Sequence, residues 1–373
     1  MKYCTKCLLP DTKPHIKFDN GGVCTACRAH EHKNQAENGI DWDKRAKEFE
    51  TLIANIKFRK APIYDALVPV SGGKDSITQV HRLLGHGLRI LAVNVDYGIK
   101  TEIGHKNLAC IPRMGASVFV YTPSQPLHKK LVRIGFEDFG DPDLLSHTML
   151  HAFPLRVALR FEIPLVLLGE NSAIEYSGEV GEAASHKITD AWFQKYAANA
   201  GNTPAVVSKK YNISYAELLP YDYPAEFANS EIEAVFCSHY FHWDSERNLR
   251  IAQQYGFERL PHSAEGTYRN YVGIDEKINR IHQYLKVLKF GYGRATDHAC
   301  EDIRNGRLAR EEAKQLVRQH DLQDLSAKFT DDFVAWMGMS REVFLSIVEG
   351  YRNTKIWQQD ASGCWYIPEH LEG

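Results

Sequence analysis

One stretch constrains this chain more than any other: Val68-Pro69-Val70-Ser71-Gly72-Gly73-Lys74-Asp75-Ser76. The apolar run 66–70 leads into it, and Ile77, Val80, Leu83 and Leu84 form a helical face behind it, closed by Gly85 and Gly87. Consecutive glycines let a backbone fold closely around an anion, and the new helix aims unpaired N–H groups and a partial positive charge at it. Ser71 and Ser76 add hydroxyl donors and Lys74 a full charge. Asp75 would repel a phosphate, so its expected task is to hold Mg2+. A Walker A loop has a glycine five residues before its lysine, and that position is Pro69 here. A Gly-Gly turn with no ligand is the alternative.

Around this loop the pattern alternates. Strands are expected at 66–70, 89–95, 117–121 and 165–168, with helices between them, two of these at 126–135 and 142–161. Such alternation predicts a doubly wound parallel sheet with helices on both faces, whose ligands bind beyond the carboxyl ends of the strands. Asn94 and Asp96 end the second strand; Gly169, Glu170 and Asn171 follow the fourth. A strand-end Asp or Asn is also commonly a turn or cap residue.

Residues 41–58 carry Trp42, Phe49, Leu52, Ile53 and Ile56 at mostly helical spacing, read as a connecting helix. After about 231 the chain turns mainly helical, and Asp331-Asp332 is expected to cap the helix bearing Phe333, Val334 and Trp336. The expected units are 1–35, a linker helix 36–61, a nucleotide-binding domain 62–230 and a helical region 231–373 that meets substrate or partner. Tyr240-Phe241-His242-Trp243 suits a core cluster better than a sugar-stacking platform.

Four of the eight cysteines, Cys4, Cys7, Cys24 and Cys27, form two Cys-x-x-Cys pairs with sixteen residues between them (24 − 7 − 1). This spacing points to a four-thiolate structural Zn2+ site, with an iron–sulfur cluster as runner-up. A unit of some 35 residues is too short for a core of its own, and bound metal would supply its folding energy. His15, His30 and His32 are expected to face solvent. The other cysteines stand alone and read as small hydrophobes. Net charge is -2, without a global basic footprint for nucleic acid. No apolar run reaches the roughly 20 residues of a membrane span, and no secretory leader is visible, so a cytoplasmic location is expected.

Ser71-Gly72-Gly73-Lys74-Asp75-Ser76 resembles the Ser-Gly-Gly-x-Asp-Ser signature of the PP-loop ATP pyrophosphatases. The resemblance implies an adenine nucleotide alpha hydrolase-like fold. It also implies that the loop holds the β,γ-pyrophosphate of ATP, and that Asn94, Asp96, Gly169 and Asn171 lie near the adenosine or α-phosphate. Stretches 169–178, 289–297 and 302–308 resemble the N-acetyl sugar amidotransferases, which also carry N-terminal zinc knuckles; Ser177 departs from the glycine expected there. That family converts an acetamido group of a bacterial surface sugar into an acetamidino group, using ATP and Mg2+. The implied catalytic residues are Lys74, Asp75, Glu170 and Glu175, and the implied substrate contacts are Tyr176, Arg294 and Arg304. For Glu175, Arg294 and Arg304 an ordinary ion pair is the alternative. The resemblance further implies a separate glutaminase with a cyclase-like barrel subunit as ammonia source. The competing classes are a tRNA-modifying PP-loop enzyme of the thiolase or lysidine type and a non-catalytic nucleotide-binding regulator. A near-neutral charge and the lack of a paired cysteine near the loop weigh against the RNA enzyme.

Overall fold

In the computed structural model, residues 1–35, 39–175, 185–197 and 201–372 are described. Five parallel strands form the central sheet: β1 (Ala66–Pro69), β2 (Ile90–Val95), β3 (Ser117–Tyr121), β4 (Leu165–Leu168) and β5 (Glu233–Phe236). Their order is β3-β2-β1-β4-β5. Strand periodicity divides the sheet's side chains between two cores. Ala66, Val68, Ile90, Ala92, Leu165, Leu167 and Val235 face one. Leu67, Leu91, Val93, Val166, Leu168, Ala234 and Phe236 face the other. Both faces are covered by helices, as a buried parallel sheet requires. Each fully buried aliphatic side chain contributes roughly 1.5–3 kcal/mol relative to exposure.

The fifth strand and the extent of the sheet differ from expectation. A boundary at 230 would cut off β5, which pairs with β4 over four residues, Leu165 with Glu233 through Leu168 with Phe236. Nor does the region beyond it stand apart. Phe333 and Phe344 pack on Phe136 of the helix Gln125–Phe139, with ring centroids 5.0 and 5.5 Å away. The helix α2 (Trp42–Phe58) is no mere linker either, because Phe49, Ile53 and Ile56 are buried in the first sheet core. The helix Ala327–Met337 begins after Ser326, so Asp331 and Asp332 lie within it and cap nothing. Tyr240 is buried, and Phe241 and Trp243 pack against the same core, as the core reading of that cluster requires. No helix among the described residues is long and apolar enough to cross a membrane.

The chain runs β1, β2, β3 to one side and then returns to place β4 and β5 on the other. The crevice between the carboxyl ends of β1 and β4 is therefore the topological switch point, where such sheets bind ligands.

Candidate functional site

The glycine-rich loop leaves β1 at this switch point and enters the helix α3 (Lys74–Gly85), with Gly73 at the cap position and no side chain capping it. The first N–H groups of α3 are thus left for a ligand. Gly72 has a φ of +95°, and a Cβ there would lie 2.8 Å from the Leu108 backbone nitrogen. Only glycine fits both demands. Ser71 Oγ accepts from the Gly73 N–H at 3.1 Å, and Ser76 Oγ donates to the Gly73 carbonyl at 2.9 Å. The two hydroxyls therefore shape the loop from within.

Lys74 is buried, and its Nζ meets Asp75 Oδ2 at 2.6 Å. Asn248 Nδ2, on the helix Ser245–Gln253, donates to Asp75 Oδ1 at 2.8 Å. Each carboxylate oxygen keeps a lone pair free, and the side chain is about a third exposed. Asp75 thus fits a hard cation such as Mg2+, which keeps most of its waters and takes one or two carboxylates. A cavity of about 130 Å3 lies over the loop, bounded by residues 71–75 on one side and by Asn107, Phe257 and residues 271–275 on the other. Its size suits phosphate groups rather than a whole nucleotide. Tyr271 sits over Lys74, with Nζ 5.8 Å from its ring centroid. Lys100, almost wholly buried, donates to the Ser71 carbonyl at 3.3 Å and faces Glu276. Burial, with Asp275 beside it, pushes the Glu276 carboxyl up to about 8 although Lys100 opposes the shift. Asn248, Lys100 and the 271–275 segment carry no local motif; only the folded chain assigns them to the loop.

The other expected nucleotide contacts divide. Asn94 is buried and donates to the Val70 carbonyl at 2.6 Å, tying β2 to the root of the loop. Its Oδ1 has no hydrogen-bond partner among the described residues. Asp96 accepts from the Gly98 N–H at 2.9 Å and shapes a turn. At the end of β4, a Cβ on Gly169 would lie 3.1 Å from Gln79 Nε2 and 3.6 Å from Trp243, so the glycine keeps this edge close to α3. The Asn171 N–H donates to Ser238 Oγ at 3.0 Å. Burial pushes the Cys237 thiol up to about 12, and Asp75 and Glu170 add to the shift. That protonated thiol is a poor nucleophile.

Glu175 ends the short helix Ser172–Glu175 and pairs with Lys33 at 2.5 Å. Tyr176 and Ser177 lie outside the described residues. Arg294 donates to Asn279 Oδ1 at 2.7 Å and packs on Gly273, in the segment over the loop. Arg304 lies elsewhere. Burial pushes its pKa down, and Cys300, Cys7, Cys27 and Cys24 outweigh that and raise it, which puts the guanidinium on the side of the cysteine unit. Its expected role toward substrate finds no support in that position, since helical spacing from Arg294 carries it toward the cysteines instead of the phosphate cavity.

Cys4, Cys7, Cys24 and Cys27 are all buried, and their sulfurs lie within 4.8 Å of one another. Cys4–Cys27 and Cys7–Cys24 are 3.9 and 3.7 Å apart, too long for disulfides. A tetrahedral Zn2+ with Zn–S bonds of about 2.3 Å has S–S edges of about 3.8 Å. The Cys7, Leu9, Cys24 and Cys27 N–H groups donate to sulfurs of the cluster at 3.2–3.5 Å, as thiolates prefer. Four thiolates and Zn2+ leave two negative charges, and Arg304 supplies a half-buried cation beside them. The residues therefore fit Zn2+ in a closed, structural site. His15, His30 and His32 are not among the clustered ligands. Leu8, Leu9 and Val23 of this unit share a core with Ala299, Cys300, Ala313 and Val317, so the unit lacks an independent core, as its length requires.

The comparisons with known proteins bear on the segment that covers the loop. Residues 265–371 match the family model "LPS biosynthesis protein WbpG-like, C-terminal domain". The match takes in 271–275, Arg294 and the helices that receive the cysteine unit. It links this part of the chain with a lipopolysaccharide biosynthesis family. No curated protein matches. Among solved structures, NMN synthetase from Francisella tularensis is 9% identical, with 80% of this chain and 94% of that chain covered at a TM-score of 0.34. Similarity at that level adds nothing to the fold or site described above.

Proposed function

We propose that the chain is an ATP-dependent enzyme of lipopolysaccharide or surface-polysaccharide synthesis, an amidotransferase that turns an acetamido group of a sugar into an acetamidino group. The observation that carries the ATP half is the open end of α3 behind the Ser71–Ser76 loop, with Lys74 and Asp75 together at the switch point. The match over residues 265–371 supports the biosynthetic setting. The sugar and the amidine rest on the resemblance of segments 169–178 and 289–308.

An amide carbonyl is a weak electrophile with a poor leaving group. Its oxygen attacks the α-phosphorus of ATP, an O–P bond forms, and the bond to pyrophosphate breaks. Ammonia adds to the activated carbon, the C–O bond breaks, AMP leaves, and loss of a proton gives the amidine. In this reading the α3 N–H groups, Lys74 and Ser71 hold the departing pyrophosphate, and Ser76, whose hydroxyl donates to the Gly73 carbonyl, keeps the loop in shape for it. Asp75, fixed by Asn248, holds Mg2+, which neutralises phosphate charge. Glu170 and Glu175, after β4, serve the acceptor side, Tyr176 is a substrate contact on the resemblance alone, and Arg294 steadies the cover. Ammonia comes from a separate glutaminase with a cyclase-like barrel subunit. Cys110, Cys237 and Cys300 are buried, and the exposed Cys364 lies before the two-residue strand Trp365–Tyr366 and not on a strand–helix elbow, which fits an external source.

The test is product analysis with ATP, an ammonium salt at raised pH and a panel of acetamido sugars. AMP and pyrophosphate in equal amounts, dependent on the sugar, are expected. Formation of ADP and phosphate would overturn the reading. Efficient glutamine use by the isolated chain would overturn the separate ammonia source.

A further inference from the structure

The cysteine unit reaches the acceptor side of the crevice through one side chain. The helix α1 (Thr25–Asn34) starts on the second cysteine pair: Cys24 occupies its cap position, and the Cys27 N–H donates to Cys24 Sγ at 3.4 Å. Lys33 lies in the last turn of this ten-residue helix. Its Nζ meets Glu175 Oε1 at 2.5 Å, and the two side chains are only 14% and 13% exposed. Most lysine–glutamate pairs lie in solvent and fix nothing. This pair is largely covered and ties two segments 142 positions apart. Glu175 closes the turn that leaves β4: the Ile174 and Glu175 N–H groups both donate to the Asn171 carbonyl, at 3.1 and 2.9 Å. That turn is anchored at its start, where the Asn171 N–H meets Ser238 Oγ and the Ser238 N–H donates to the Gly169 carbonyl. Its far end is held by Lys33.

The other side of the unit is fixed as well. Arg310 Nε donates to the Cys7 carbonyl at 3.2 Å and the Leu8 N–H to Cys300 Sγ at 3.2 Å. The unit is thus braced between the C-terminal helices and the turn after β4. On this structure and on the reading above, we propose that Lys33 is a positioning residue for the acceptor side of the reaction. The four-cysteine unit, by holding α1, delivers Lys33 to Glu175 and fixes the turn beside the switch point. Occupancy of the metal site then sets acceptor binding without touching the phosphate loop, where none of these residues lies.

The experiment compares full-length wild type, Lys33→Met, Lys33→Arg and zinc-chelated wild type. Hydrogen exchange of the amides of Ile174 and Glu175 is read without substrate. Lys33→Met should keep its zinc, measured by elemental analysis, and retain wild-type affinity for a non-hydrolysable ATP analogue. Exchange of the two amides should rise about tenfold or more, since local opening sets it. Chelated wild type should show the same rise, and Lys33→Arg should return exchange to near the wild-type rate. In turnover, Lys33→Met should raise the KM for the acceptor at least about tenfold while leaving the KM for ATP within about twofold. Unchanged exchange in Lys33→Met or in the chelated protein overturns the coupling. Equal rises in both KM values overturn the positioning role. A wild type without AMP formation would defeat the enzymatic reading alone, and the exchange measurement would still judge the tie.

Discussion

The phosphate loop and the four-cysteine unit are both written in a few neighbouring residues, yet they are opposite kinds of site. The loop is open. The glycine loop enters α3 beside a cavity with no side chain capping the helix, and Asp75 keeps about a third of its side chain exposed. The cysteine unit is closed, with all four sulfurs buried and N–H groups already turned toward them. An open cradle suits a ligand that exchanges in every turnover. A complete tetrahedral shell suits one that stays. Both lean on the C-terminal half of the chain, the loop through Asn248 and residues 271–275, the cysteines through Cys300 and Arg310.

The largest expected effect falls on the closed site. Cys24→Ser should release the metal and unfold residues 1–35, because metal binding in such units contributes about 10 kcal/mol or more. Zinc content and limited proteolysis read this out, and a variant that keeps its zinc and its protease resistance would remove the contrast. At the open site, Asp75→Ala should keep the fold but lower the melting temperature, because buried Lys74 loses its partner, while AMP formation falls about a hundredfold or more. A lowered melting temperature with turnover intact would make Asp75 structural.

Two substitutions sharpen the comparison further. Gly72→Ala places a methyl group against the Leu108 backbone at a positive φ. It should cost about 1–3 kcal/mol in denaturant titration and weaken pyrophosphate binding with it. Asn248→Ala removes the donor that fixes Asp75 and should lower turnover about tenfold, a hydrogen bond to a charged group. Zinc content should stay at the wild-type level in both.

A further effect depends on pH. The Glu276 carboxyl lies at about 8 in the fold, against about 4.3 in an unfolded chain. The folded state holds a proton there that the unfolded chain gives up. Stability from this group is therefore full below about pH 4.3 and is lost as pH rises through about 8. Glu276→Gln should gain on wild type in melting temperature between pH 5 and pH 8. A gap that stays constant would place Glu276 in an ordinary carboxylate environment.

Much of this was legible because it is local. Two glycines between a strand and a helix, or two Cys-x-x-Cys pairs, express their geometry within a few residues, and four of the five strands show as apolar runs. The rest depends on distant packing. β5, Glu233–Phe236, is as long as β1 and β4, but only Ala234-Val235-Phe236 is apolar after Glu231-Ile232-Glu233, and a short helix, Cys237–Tyr240, follows at once, so it does not show as a separate run. Asn248 and Tyr271 meet the loop across about 170 to 200 positions, and no periodicity marks them. Arg304 shares the stretch that carries Arg294, but helical geometry sends it to the cysteines. Asp331-Asp332 suggests a helix start by composition, yet the helix begins at Ala327 and already packs Phe329 and Thr330 inward before the two aspartates.

The most direct measurement follows one atom. Wild-type protein is given ATP, ammonium and an acetamido sugar whose carbonyl carries heavy oxygen, and the AMP is analysed by mass spectrometry. The account predicts that the heavy oxygen passes quantitatively into the phosphate of AMP, with an amidino sugar as co-product. Heavy oxygen retained in the sugar, or AMP carrying only solvent oxygen, would contradict adenylation of the amide.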